Sequence, residues 1–99
     1  MNDIRIKVEQ DLFEFTKHAV DRTLLRHIRV SEIREAIASG ELIEDYPNDK
    51  YGPSCLILGI TSTGRPLHLQ VGYAPHRLLK VITVYEPDPD EWVDFRTRR

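Results

Sequence analysis

Residues 54–85, SCLILGITSTGRPLHLQVGYAPHRLLKVITVY, decide the fold. Three apolar runs stand here, separated by turn formers. Residues 54–61, SCLILGIT, are apolar and β-branched enough to predict a strand. Residues 62–66, STGRP, contain a glycine and predict a hairpin turn. Residues 67–73 alternate: Leu67, Leu69, Val71 and Tyr73 on one face, His68, Gln70 and Gly72 on the other. Residues 74–78, APHRL, predict another turn, and 79–85, LKVITVY, the last strand. Upstream, 41–46, ELIEDY, can pair as a short strand, followed by a turn-rich loop from Pro47 to Pro53. The expectation is a four-stranded antiparallel meander.

Ahead of the strands the period changes to that of helices. Val20, Leu24 and Ile28 recur every four residues, predicting a helix over 17–27 with that stripe buried. Ser31 can cap a second helix over 32–39, burying Ile33, Ala36 and Ile37. Gly40 ends it, because glycine tolerates the left-handed conformation at a helix C-terminus. Residues 3–9 fit a helix through Ile4 and Val8, or a strand through Ile4, Ile6 and Val8. Residues 12–16, LFEFT, read as a short strand or extended lead-in. Beyond Tyr85, the prolines of EPDPD stop the ladder, since proline has no N–H to donate. Trp92 and Phe95 in the tail 86–99 are expected to pack back on the body or on a second copy of the chain. The whole is an α+β class: two or three helices on one face of an antiparallel sheet.

Composition bounds the function. The 99 residues are 40% apolar and 30% charged, a soluble, globular balance suited to one domain, 1–99. No apolar run is long enough to span a bilayer, and the N-terminus lacks a signal-peptide core, so no membrane partner is expected and the cytoplasm is. The lone Cys55 has no internal disulfide partner and reads as a small buried residue. No Cys/His spacing resembles a zinc site, and neither metal nor cofactor is called for. The formal net charge of -2 hides a segregation. Residues 51–85 hold Arg65, Arg77 and Lys80 and no carboxylate, while acidic segments flank them. Buried strands explain that pattern; so does a basic floor that meets a polyanion, and the two are compatible.

Candidate chemistry falls in two groups. His18, Arg22 and Arg26 are four apart and form one helical stripe, away from Val20 and Leu24. The stripe is either a solvated face or a phosphate site, with arginines as bidentate anchors and the histidine as titrating group. Arg65 and His68, with Gln70, form a polar set on the sheet: either its wet side or an anion-binding and proton-transfer set. His27 reads as structural and His76 as an exposed turn residue, while Tyr85 either closes the core or stacks on a base.

The segments TKHAVDRTLLRHI (16–28), SEIREAIASGE (31–41), IEDYPNDKYGPSCLILG (43–59), GRPLHL (64–69) and ITVYEPDPDEW (82–92) resemble a family of bacterial proteins, domain-of-unknown-function family DUF4258. That family is similar to the RelE/ParE/BrnT group of small toxins. The resemblance implies a RelE-like fold, a helical N-terminal half packed on an antiparallel sheet. It also implies metal-independent ribonuclease chemistry on the RNA 2′-hydroxyl and phosphate. It supplies no catalytic residues; His18 and His68 as proton-transfer groups, and Arg22, Arg26 and Arg65 as phosphate ligands, rest on their own chemistry. RNA and a small antitoxin-like protein are the expected partners. The alternative is a non-catalytic protein-interaction domain on a degenerate toxin fold. A shared cleft for His18 and His68 separates these readings, because each must reach the same phosphate.

Overall fold

A computed structural model describes residues 1–50, 52–73 and 78–99. Three helices, α1 (Asn2–Glu9), α2 (Lys17–Leu25) and α3 (Val30–Ala38), combine with a five-stranded sheet in an α+β arrangement. β2 (Glu41–Tyr46), β3 (Ser54–Ile60), β4 (Pro66–Gly72) and β5 (Leu79–Tyr85) pair consecutively and antiparallel. The four-stranded expectation is corrected by β1 (Phe13–Phe15), which adds to the edge of β5 in parallel. The short strand read over 12–16 is present; its parallel place beside β5 is what the sequence did not carry. The turn read at 74–78, with His76, falls at residues 74–77, outside the described residues.

The two-residue alternation of the strands sorts the core. Cys55 and Ile57 of β3, Leu67, Leu69 and Val71 of β4, and Leu79, Val81 and Val84 of β5 face the helices, with Ile4, Val8, Ala19, Ile33, Ala36 and Ile37 packed on them. Two buried side chains four apart, Ile4 and Val8, decide for helix over strand in the first ten residues. The helices come close enough to need glycine. A Cβ on Gly59 would lie 1.9 Å from the Ala36 carbonyl oxygen. Gly40 is likewise a packing glycine: its φ is not positive, and a Cβ there would meet Ile57 Cγ2 at 2.7 Å. The left-handed role expected for it is therefore corrected; Gly64, φ 86°, takes that role in the β3–β4 turn. The capping of α3 also differs. Arg29 is its N-cap residue, and the Glu32 carboxylate accepts from the Arg29 N–H at 3.0 Å, so Ser31 falls inside the first turn.

The opposite sheet face is covered too. After Pro87 and Pro89 the chain forms a small hairpin, β6 (Trp92–Val93) and β7 (Thr97–Arg98), with Asp94 and Phe95 at positive φ in its turn. Trp92 is buried against His68, and Arg98 and Arg96 pair with Glu44 and Glu41 of β2. The tail thus returns to its own body, and its tryptophan is already used there.

Candidate functional site

α2 lies along the part of the β5 edge that β1 leaves open. Thr16 caps it, accepting from Ala19 N–H at 3.0 Å, and its hydroxyl donates to the Ile82 carbonyl at 3.0 Å. One end of the helix later, Arg26 Nη1 donates to the Val84 carbonyl at 2.7 Å. These two bonds satisfy edge carbonyls that no strand reaches. They also fix the helix's rotation. Fully buried Ala19 and half-buried Arg22 and Arg26 turn inward, while Val20 and Leu24 turn out, 43% and 71% exposed. Of the stripe Val20, Leu24 and Ile28 expected to be buried, Ile28 is, but Val20 and Leu24 are corrected: an uncovered strand edge needs donors, and aliphatic side chains have none.

Arg65 stands at the start of β4 and is consumed by structure. Its Nε donates to Glu86 at 2.8 Å, Nη1 to Glu32 at 3.2 Å and the His27 carbonyl at 3.1 Å, and Nη2 to the Arg26 carbonyl at 3.0 Å. Four of its five N–H groups are engaged, and no open fork remains for a phosphate. The Glu32 carboxyl is held below its ordinary range, first by the Arg29 N–H and then by Arg65. Arg65 ties the α2–α3 link to the sheet.

His68 alternates with Leu67 and Leu69, so it points away from the helices. It is fully buried beneath the tail hairpin. Nε2 lies 2.6 Å from the Phe95 carbonyl oxygen and Nδ1 lies 3.1 Å from the Tyr85 hydroxyl. A carbonyl only accepts, so Nε2 carries the proton and Nδ1 accepts from Tyr85. Trp92 stands edge-on at 4.4 Å between ring centroids, Tyr85 at 5.2 Å. Burial pushes the imidazole pKa down, against the pull of the Phe95 carbonyl and Glu44. Burial also pushes the Tyr85 phenol up. The result is a neutral imidazole whose free lone pair holds a tyrosine hydroxyl.

His18 is exposed on the first turn of α2, and neither it nor Arg22 has a partner among the described residues. No described cleft holds both His18 and His68. Instead, Arg26, Arg65, His27 and Tyr85 line one cleft of about 450 Å³, with Leu25, Glu86, Asp88 and Glu91 as its other walls. The Arg26 guanidinium stands 5.9 Å from the Tyr85 ring centroid. So the fold brings together Arg26, Arg65 and, behind Tyr85, His68; Arg22 and His18 follow one and two turns away. Residues 15–86 match the family described as Domain of unknown function (DUF4258). The chain belongs to the DUF4258 family. No curated protein and no solved structure matches it.

The matched span of this DUF4258 domain contains α2, the meander, Tyr85 and Glu86. The Phe95 carbonyl that fixes the His68 tautomer lies beyond it. Tyr85 is the residue the sequence undervalued. Strand alternation puts it on the His68 face only once the β4–β5 register is known, and a bulge at Gln70/Val71 shifts that register. Gln70 shares the His68 face as expected, and its amide donates to Ser54 Oγ at 3.2 Å, which in turn donates to Asp49 at 2.7 Å. Gln70 and Asp49, with Tyr46, Pro47, Asn48 and Arg98, border a second hollow of about 580 Å³. Among the described residues, no three His, Cys, Asp or Glu side chains gather as metal ligands would. No described helix is long and apolar enough to cross a membrane.

Proposed function

We propose that this DUF4258 domain is a toxin-like RNA-acting domain whose reacting groups meet at the Arg26–Tyr85 cleft. One observation carries the reading: the Tyr85 hydroxyl is aimed at the Nδ1 of a buried neutral histidine, beside the Arg26 guanidinium. That arrangement is a proton relay next to a phosphate ligand. As the RNA 2′-oxygen attacks the adjacent phosphorus, Tyr85 Oη takes the 2′-hydroxyl proton and passes its own to His68 Nδ1. The bond to the 5′-oxygen breaks, and His27 at the cleft wall protonates that oxygen, leaving a 2′,3′-cyclic phosphate. Arg26 faces the phosphoryl oxygens in the transition state, and Arg22 and His18 extend the cationic line along α2. His27 here takes the role read for His18, and Arg65 holds the cleft in shape. The helical half packed on an antiparallel meander supports the RelE-like fold, and with it a small antitoxin-like inhibitor and a bacterial cytoplasm as setting.

The test is cleavage and binding of a single-stranded RNA oligonucleotide. Tyr85→Phe should lower cleavage by about 100-fold or more, the usual size of an acid–base contribution, and leave RNA affinity within about twofold, since the hydroxyl and not the ring moves the proton. Arg26→Ala should weaken binding and flatten its salt dependence. Wild-type protein that neither binds nor cleaves RNA, or full cleavage by Tyr85→Phe, would sink the reading. The second reading, a protein-interaction domain, is favoured by the outward face of α2, where Leu24 and Leu25 are 71% and 69% exposed.

A further inference from the structure

We propose that the Arg26–Tyr85 cleft is a guanine-specific nucleotide site in which the Glu91 carboxylate reads the base; the inference rests on the RNA-cleaving reading above and names its substrate. Two wall residues that the proton relay does not use carry it. Glu91 stands on the turn that leads into the tail hairpin, and its backbone is pinned. Its N–H donates to the Asp88 carbonyl at 2.9 Å, and its own carbonyl accepts from the Arg99 N–H at 3.0 Å. Its side chain lines the cleft, and the carboxylate has no hydrogen-bond or ion-pair partner among the described residues. The other acids of that wall are already engaged: Glu86 accepts from Arg65 at 2.8 Å, and Asp88 from the Asp90 N–H at 2.9 Å. Glu91 alone of the three keeps both carboxylate oxygens free.

A carboxylate offers two acceptors side by side and no donor. On its Watson–Crick edge guanine alone sets two N–H donors side by side, N1–H and N2–H. Adenine and cytosine set an amino donor beside a ring-nitrogen acceptor, and uracil sets one donor between two carbonyls. A carboxylate therefore accepts twice from guanine and meets a repelling lone pair on each of the others. Leu25, 69% exposed on the same cleft, offers the apolar contact that a base face needs. Arg26 turns to the phosphate the N–H groups that the Val84 carbonyl leaves free. The cleft, about 450 Å³, is on the scale of one nucleotide. The guanosine that Glu91 reads is thus the one whose 2′-hydroxyl meets Tyr85, and cleavage falls on its 3′ side.

The experiment is a nuclear magnetic resonance titration of the full chain with the four nucleoside 3′-monophosphates and with inosine 3′-monophosphate, which lacks the N2 amino group. The guanosine nucleotide should bind about tenfold tighter or more than those of adenosine, cytidine and uridine, the usual discrimination of a bidentate base contact. Inosine, with one donor of the two, should fall between. Glu91→Gln, its fold confirmed by circular dichroism, should lose the preference for guanosine. Nucleotides bound alike, none bound, another base preferred, or a preference that survives Glu91→Gln overturns the proposal. Cleavage of a mixed-sequence single-stranded RNA separates this inference from the reading beneath it. Cuts only on the 3′ side of guanosine support both. Cuts after all four bases alike overturn the guanine site and leave the Tyr85 relay standing. Guanosine-selective binding without any cleavage leaves the site standing and overturns the relay.

Discussion

Lowering the pH from 7 to 5 should destabilise the protein by way of His68. The folded chain holds this imidazole neutral, because burial pushes its pKa below the ordinary 6.5. The unfolded chain lets it protonate at its ordinary value. Between those two values the unfolded state binds up to one proton more than the folded state. Stability then rises with pH, at up to about 1.4 kcal/mol per unit. The contribution is complete above 6.5 and is lost as the pH falls toward the folded value. For a domain of this size one pH unit of full slope lowers the thermal midpoint by roughly 6–11 °C. The groups facing His68 are Tyr85 on β5, Glu44 on β2 and Arg98 on β7. Glu44, whose carboxyl Arg98 holds down first and Tyr46 second, acts in a different window. Its stabilisation, like that of Glu32, is present above the ordinary carboxylate value and lost only as the pH falls through the depressed one. The interval just below 6.5 therefore belongs to His68 among the shifted groups. The assay is urea unfolding at half-unit steps of pH, followed by circular dichroism. His68→Gln keeps a donor for the Phe95 carbonyl but cannot titrate. It should be less stable at pH 7 and nearly flat from 5 to 7. A flat wild-type profile, or a variant with the wild-type slope, would refute the buried neutral imidazole.

Gly59→Ala sets a methyl group 1.9 Å from the Ala36 carbonyl oxygen, so α3 must lift off β3; a loss of about 3 kcal/mol or more is expected in urea unfolding, and an unchanged midpoint would show that the close approach is not there. Trp92→Ala removes the ring that stands 4.4 Å from His68 and should cost about 3–5 kcal/mol, the usual range for a buried tryptophan; a cost under about 1 kcal/mol, typical of an exposed side chain, would mean that the tail does not cover the sheet. Leu24→Lys, measured at micromolar concentration, should shift stability by no more than about 0.5 kcal/mol, whereas Ile33→Ala should cost about 2–5 kcal/mol; the reverse ranking would mean that α2 is rotated as its spacing suggests.

Much of the fold was legible because the strands carry their own signal. Residues 67–73 alternate without a break, and the structure buries one set of them against the helices. The failures share a cause: each depended on a neighbour distant in sequence. LFEFT alternates and reads as a short strand, but its parallel place on the free edge of β5 could not be read from three residues. On α2 the apolar spacing is real, yet burial went to Ala19, with Arg22 and Arg26 half-buried beside it. The Ile82 and Val84 carbonyls needed Thr16 and Arg26, and no helical periodicity contains that demand. Gly40 carried a correct identity and a wrong reason, since it makes room for Ile57 rather than for a left-handed turn.

The site was hidden for a related reason, though one signal was present. β3 is apolar on both faces: Cys55 and Ile57 face the helices, and Leu56 and Leu58 are buried on the other side. A strand buried on both faces reads as a continuous apolar run, and SCLILGI is one. A second cover was therefore required, and the only aromatic residues after β5 are Trp92 and Phe95. His68 pairs directly with Leu58 and lies under the same cover. That burial turns a histidine on an apparently wet face into a neutral proton acceptor, and its partner across the ladder is Tyr85. Hence the two histidines read from sequence cannot serve one phosphate, while one of them reaches the α2 cleft through a hydroxyl. The tail and the rotation of α2 together move the candidate chemistry from a His18–His68 pair to Tyr85 and Arg26. The same rotation strands Leu24 and Leu25 outside, so one unpaired strand edge accounts for both the cleft and the surface beside it.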